Sequence, residues 1–344
     1  MHHLVTPWYL PFLKLYSKQE PDFLLPFFES SALQRLAFIG QNCGTEYCKY
    51  YKYRLVHSRL DHSLGVASII WHFTQDPKQT LAGLFHDISH TVFSHAGDFF
   101  LGDAKNHESS EQYTQELIEQ DEIIRKELKN LNIPLEAVND YTRYPIADNP
   151  GPQLSADRLE YTLTNLYALR GINLEEIKKI YDNLTILKNE KQEPEIWFQN
   201  FEQAKLLGEY SIKNCEGCYS SYESVSAMAF LGELFKKAIT KKLVTHKDLY
   251  YLTEPEFIKL LETDPELTAM RNFYKNLESY KISRYYPKTN KYFVSSLSKR
   301  RYIDPLIATT QGNQRLSTLS PEFCEKRDYH LKRKEERIIL NYIL

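Results

Sequence analysis

Glycine is scarce in this chain, with 12 among 344 residues, and neither GxxxxGK[ST] nor GxGxxG occurs. Any phosphate chemistry here is therefore not built on a glycine-rich loop. Cysteine is equally sparse at five residues, too few for a disulfide framework in a chain of this length. Charge of one sign is missing as well. Lys and Arg number 43 against 45 Asp and Glu, a net −2, so no global field recruits nucleic acid or a membrane. No apolar run reaches transmembrane length. The opening MHHLVTPWYLPFLKLY lacks the basic start and unbroken apolar core of a secretory signal. These absences point to a cytoplasmic protein with no membrane partner. The spacing of Cys43 and Cys48 with Cys215 and Cys218 would tolerate a structural zinc; partly buried thiols are the competing reading of a lone CxxC.

What the chain has is histidine in one place. Seven of its eleven histidines lie between His57 and His107. Apolar periodicity predicts a helix over about 59–73 carrying His62, and another over about 80–90 carrying His86, Asp87 and His90. Phe93-Ser94-His95 reads as a tight turn. Further helices are expected after Ser30-Ser31, from near His107 past Ile118, over 122–131, from Ser155 past Asn165, over 174–181, and as a pair over 201–243 separated by NCEGC. Thr253-Glu254-Pro255-Glu256 opens another with a capping pattern. A tyrosine-rich segment over 47–56 reads as extended, TILKNEKQEPEIWF as a β-hairpin, and the chain from 285 onward as β-like and basic. The fold class is thus mainly α, with a core over 1–185 and an extension over 186–344 containing a small β element. That extension is either separate or packed with the core as one unit.

A histidine and an aspartate side by side in an apolar helix are costly to bury unless they are paired or bind a metal. His62, His86, Asp87 and Asp157 together form a mixed nitrogen–oxygen set suited to a divalent ion: Mn, Fe, Co, Ni, Zn or, less well, Mg. His90, His95 and His107 titrate in the range useful for proton transfer. Arg59 and Arg158 offer permanently charged clamps for phosphate, or else pair with surface acids such as Asp61 and Glu160. His57 and His72 read as structural, and the run Lys299-Arg300-Arg301 as a solvated face, with a subunit or nucleic-acid contact as the alternative. The inventory favours phosphoryl hydrolysis.

The stretches QRLAFIGQ (34–41), RLDHSLGV (59–66), AGLFHDISHTVFSH (82–95), NHESSEQ (106–112) and SADRLEY (155–161) resemble the HD-domain metal-dependent phosphohydrolases. Within them the chain is most similar to the deoxynucleoside triphosphate triphosphohydrolase branch and its bacterial relatives. The resemblance spans roughly residues 30–170 and implies a helical HD fold. It also implies that His62, His86, Asp87 and Asp157 ligate the metal. Arg59, Arg158 and Tyr161 would then contact phosphates, with His90 and His107 flanking them, His95 the general acid and Gln41 on a sugar hydroxyl. Asn165 stands where that branch commonly has aspartate. The implied substrate is a nucleotide and the implied assembly a homo-oligomer. Competing readings are a phosphatase or phosphodiesterase for a monophosphate, cyclic dinucleotide or alarmone, and a non-catalytic nucleotide- or nucleic-acid-binding protein.

Overall fold

A computed structural model describes residues 3–19, 21–103, 112–279, 281–283, 291–295, 300–310, 312–332 and 337–343. The N-terminal part runs through helices α1 (Leu10–Tyr16), α2 (Ser31–Leu36), α3 (Arg59–Thr74), α4 (Pro77–Phe85), α5 (Ala96–Leu101), α6 (Thr114–Gln120), α7 (Glu122–Asn130), α8 (Ala156–Ala168) and α9 (Leu174–Tyr181). A hairpin of β1 (Leu184–Lys188) and β2 (Pro194–Phe198) follows, then α10 (Phe201–Asn214), α11 (Tyr222–Thr240), α12 (Glu254–Leu261) and α13 (Pro265–Lys275). The remainder alternates β3 (Lys281–Ser283), β4 (Lys291–Ser295), β5 (Leu306–Thr309), β6 (Gly312–Arg315), α14 (Leu316–Leu319), α15 (Pro321–Lys332) and β7 (Arg337–Ile343).

Local chemistry explains where the important helices begin. Ser58 caps α3 in a reciprocal box with Asp61, and Ser155 caps α8 by accepting from the Arg158 N–H. Asp76 caps α4 with Pro77 in its first turn, and Thr253 and Glu256 form the box that opens α12. Nearly every residue of α3 from Arg59 to Ile70 is buried, so this helix is the central post rather than a surface element. It approaches α8 closely at Gly65, where a Cβ would lie 2.1 Å from the Tyr9 hydroxyl and 2.7 Å from Glu160 Cγ. Only glycine fits there.

The expected hairpin is present, with Leu184 opposite Phe198 and Lys188 opposite Pro194. It joins a sheet in the order β1-β2-β5-β6, in which β2 and β5 run parallel; β3, β7 and β4 form a second, antiparallel sheet. The sequence left the last segment open between helix and strand, and it is the strand β7. The apolar interior forms two clusters. The larger runs from Val5 through the N-terminal helices to Phe323, and the smaller gathers Phe93, Phe230, Phe235, Phe257 and Tyr274 around α11–α13. The 185/186 division falls inside β1, and side chains from both sides of it share the larger cluster.

Two expected elements differ. The helix read over 80–90 stops at Phe85, and residues 86–89 continue as turns with bonds from the Ile88 N–H to Phe85 O and the His90 N–H to Asp87 O. The buried Arg35 guanidinium accounts for the exit, because it donates to the carbonyls of both Ile88 and His90, which a continuing helix would have used internally. The segment over 47–56 forms no strand; a turn at 48–50 leads into irregular chain. Its tyrosines pack on one another and on the smaller core, as in the stacked Tyr51–Tyr53 pair and Tyr47 edge-on to Phe93. No helix among the described residues is long and apolar enough to cross a membrane.

Candidate metal centre

The turn after α4 passes from one core to the other, with Ile88 in the larger cluster and Val92 and Phe93 in the smaller. Phe93 and Ser94 both adopt left-handed backbone (φ 56° and 51°), which makes the tight turn expected there and swings His95 back towards His90. Their rings meet edge-on with centroids 4.8 Å apart. α3 supplies His62, the turn supplies His86 and Asp87, and the first turn of α8 supplies Asp157.

These four side chains converge. His62 Nε2 lies 3.1 Å from Asp157 Oδ1 and 3.8 Å from Asp87 Oδ2, and His86 Nε2 lies 3.4 Å from Asp87 Oδ1 and 3.8 Å from Asp157 Oδ1. The two Nε2 atoms face each other at 3.2 Å. His86 Nδ1 sits 2.7 Å from the Gly83 carbonyl, which only accepts, so its ring proton belongs on Nδ1 and its Nε2 carries a lone pair. His62 Nδ1 is likewise engaged by the Glu160 carboxylate. Two nitrogens turned this way towards each other, flanked by two carboxylates, are satisfied by a cation between them. Among the described residues, His62, His86 and Asp87 form the one group of histidine, cysteine and acidic side chains close enough to hold an ion together.

The electrostatics agree. Burial opposes charge on His62, but Glu160, Asp157 and Asp87 outweigh it and raise the imidazole to about 10. Burial also opposes ionisation of Asp87, yet Arg59, His86 and His90 hold its carboxyl well below the usual carboxylate range. Asp157 is lowered to about 2, chiefly by His62 working against burial. The cluster is anionic enough to demand a positive charge, and a metal ion can take the place of the proton.

The other predicted residues divide. His90 Nε2 is 2.9 Å from Asp87 Oδ1, its buried Nδ1 has no hydrogen-bond partner among the described residues, and burial and Arg59 lower its pKa. His95 is partly exposed, with Nδ1 on Asp98 Oδ2 at 2.8 Å. Gln41 borders the same turn, and its buried Oε1 has no hydrogen-bond partner among the described residues. Tyr161 lies one turn along α8 from Asp157, edge-on to Tyr219. His107 falls outside the described residues. The two arginines are not free clamps. Arg59 is buried, donating to Asp87 at 2.8 Å and to Ser94 Oγ at 2.9 Å. Arg158 grips the preceding loop, pairing with Asp148 at 2.9 Å and donating to the Gln153 carbonyl. Neither uses Asp61 or Glu160, and those two are not surface acids, since both are completely buried. The cysteine pairs form no ion-holding group among the described residues; Cys43 lies by the Gln41 carbonyl and Cys48 by that of Leu277.

Sequence reasoning missed three supporting groups. Glu160 accepts from Tyr9 and Thr164 and holds His62, so it sets the ring's orientation. Its i+3 spacing from Asp157 on α8 was the available signal. Asp98 orients His95 from a buried position. Arg301, read as part of a solvated face, instead has its N–H on Cys215 Sγ and its carbonyl on His330 Nε2; burial opposes its charge, but Tyr161 and Asp157 outweigh that. Nothing local in its sequence announces that.

Residues 59–185 match the HD domain family. The Bacillus subtilis protein YdhJ is 27% identical over 283 residues, covering 81% of this chain and 82% of its own. The metal-dependent phosphohydrolase cns2 of Cordyceps militaris is 24% identical over 323 residues, covering 91% and 89%. A phosphohydrolase structure from Bacteroides thetaiotaomicron superposes with a TM-score of 0.66 at 16% identity, covering 91% of this chain and 94% of that one, and shares the fold. Residues 59–185 thus carry an HD domain, and the chain is similar to metal-dependent phosphohydrolases of the HD-domain superfamily. It is a hydrolase that requires a divalent metal and acts on a phosphorylated substrate.

Proposed function

We propose that this hydrolase acts on a nucleotide in the manner of the deoxynucleoside triphosphate triphosphohydrolases, with His62, His86, Asp87 and Asp157 holding its metal. The observation that carries the site assignment is the pair of Nε2 atoms facing each other at 3.2 Å with the outer nitrogen of each ring already engaged. A bound ion supplies Lewis-acid polarisation of a phosphoryl group and acidifies attacking water. The chain does the rest. Arg59 and His90 fix the Asp87 carboxylate from two sides, and Glu160 fixes His62. His95, oriented by Asp98, delivers a proton to the leaving oxygen. The orphaned Gln41 Oε1 accepts a hydroxyl from the sugar, and Tyr161 donates to a phosphate oxygen. His107 shares the proton work with His95 in this reading.

The nucleotide part rests on the motif-by-motif resemblance and on this unpartnered Gln41. Turnover of a nucleotide panel with Mn, Co, Ni, Mg and Zn, resolving triphosphate, pyrophosphate and orthophosphate, tests it. Inorganic triphosphate release that disappears in Asp87→Ala is the expected result. Orthophosphate or pyrophosphate release would move the substrate to another phosphate ester or anhydride, and no turnover across the panel would reject a nucleotide.

A further inference from the structure

The metal cluster has a support from outside the HD-matched residues, on the N-terminal segment that leads into α1. Thr6 donates to Asp61 through both its N–H (2.9 Å) and its hydroxyl (2.5 Å), and so closes the start of α3 beside His62. Trp8 Nε1 donates to the Val56 carbonyl at 2.8 Å, and the Tyr181 hydroxyl donates to the Tyr16 carbonyl at 2.7 Å. Between these anchors the fully buried Tyr9 ring stacks on His57 and on Phe12, with centroids 5.8 and 5.7 Å apart. That stacking fixes the direction of its hydroxyl.

The hydroxyl passes α3 at Gly65 and donates to Glu160 on α8. A Cβ at Gly65 would lie 2.1 Å from the Tyr9 oxygen and 2.7 Å from Glu160 Cγ, so the passage exists because this helical position has no side chain. Burial and the Glu160 carboxylate hold the phenol well above its ordinary range, which keeps it a donor. The same carboxylate oxygen, Oε1, accepts from Thr164. Having given its proton to Glu160, the Thr164 hydroxyl accepts from that of the fully buried Tyr16, 3.1 Å away. Both donors to Oε1 thus lead back to the N-terminal segment. The opposite oxygen, Oε2, engages His62 Nδ1, and His62 Nε2 faces His86. With both oxygens held, the carboxylate cannot turn without breaking a contact, and such a partner sets the orientation of an imidazole at a metal.

We infer that Tyr9 is a positioning residue of the metal centre: passing Gly65, it fixes the Glu160 carboxylate that aims His62 at the ion. The inference rests on the proposed assignment of His62 as a ligand. Its consequence is that docking of the N-terminal segment and binding of the ion favour each other. The HD-matched residues alone therefore hold the ion less tightly than the whole chain does.

The test titrates the full chain with Co(II) against a competing chelator and records the ligand-field spectrum of each form. The forms are the native protein, Tyr9→Phe, Glu160→Met (which keeps the length and cannot accept), the double variant, Phe12→Leu and Asp87→Ala. Expected for Tyr9→Phe is a loss of roughly tenfold in Co(II) affinity with a shifted spectrum, the low end of the range for groups that touch a ligand directly. The double variant should lose no more than Glu160→Met alone, because the phenol acts through that carboxylate. Phe12→Leu should lower the melting temperature and leave affinity and spectrum native, which separates positioning from packing. Native affinity in Tyr9→Phe, additive losses in the double variant, or an equal loss in Phe12→Leu overturns the inference. If Tyr9→Phe does not fold, hydrogen exchange of the native protein decides. Co(II) must then slow the Thr6 and Tyr9 amides more than those of α13, and equal slowing overturns it. Co(II) retained in Asp87→Ala refutes the metal cluster and this inference with it. Co(II) lost there, with Tyr9→Phe native, refutes the role of Tyr9 alone.

Discussion

Two pairs of carboxylates, each with one buried and one partly buried member, lie on either side of one short relay, and they behave oppositely. Asp87 and Asp157, at the metal centre, stay ionised because His62, His86, His90 and Arg59 crowd them. Glu46 and Glu254 sit behind Gly40, where Glu254 accepts from the Gly40 N–H at 2.9 Å and from the Tyr47 hydroxyl at 2.8 Å. Burial pushes both glutamates up, and repulsion from Glu254 helps take Glu46 to about 8. The two pairs are joined through Gly40, whose carbonyl accepts from Ser94 Oγ, which in turn accepts from Arg59, the partner of Asp87. Burial alone thus does not make a metal site. What separates the pairs is the presence of imidazoles whose outer nitrogens are already tied down, leaving inner lone pairs and ionised oxygens pointed at one place.

The hardest blow to the first pair is Asp87→Ala. It removes a proposed ligand and strands the buried Arg59, which costs about 3–5 kcal/mol. Metal content measured by elemental analysis should fall to background and hydrolysis should be abolished; retained stoichiometric metal would contradict the assignment of this cluster. Next is Glu160→Gln, which keeps the shape but weakens the carboxylate that orients His62. A loss of roughly 10–100-fold in metal affinity is expected, with the fold intact. A chelator-competition titration reads it, and native affinity would mean that Glu160 only packs.

The smallest effect belongs to the second pair. A Glu46 held protonated in the native state keeps a proton that the unfolded chain releases above the ordinary carboxylate range. Stability therefore falls as pH rises from that range to about 8 and levels off beyond it. Glu46→Gln should flatten that slope, so that its melting temperature gains a few °C on the native protein (on the order of 1 kcal/mol) between pH 6 and 8.5 without any change in metal content. A parallel pH profile in the variant would show that Glu46 is ionised after all, and the contrast between the pairs would collapse.

Much of the fold was legible because it is written in local signals. Ser58, Ser155 and Thr253 announce their helices by hydrogen-bonding the first N–H groups, and the β1–β2 hairpin shows in its alternation. The helix through His86 was misread because its end is decided by Arg35, a residue on another helix that competes for the carbonyls of Ile88 and His90. The tyrosines between 47 and 56 read as an extended segment, but among the described residues none of them pairs in a strand, and Tyr50 and Tyr51 pack on the second core. Asp61 and Glu160 looked like surface acids because burial of a carboxylate depends on partners such as Thr6, Tyr9 and His62, which spacing along one helix does not show.

The sequence by itself determined the ingredients of the site: a histidine near the start of one buried helix, a His-Asp pair beyond the next, and an aspartate opening a third. Caps and apolar periodicity place those elements, and the residue types select a divalent ion and phosphoryl chemistry. Tertiary structure alone decided which arginines are already engaged. Arg59 and Arg158, the two beside the motif, are held by Asp87 and Asp148, and the backbone of Arg301, far along the chain, is anchored to Cys215 and His330. A charge's role depends on which opposite charge reaches it first in three dimensions, and that ordering is not encoded at any single position.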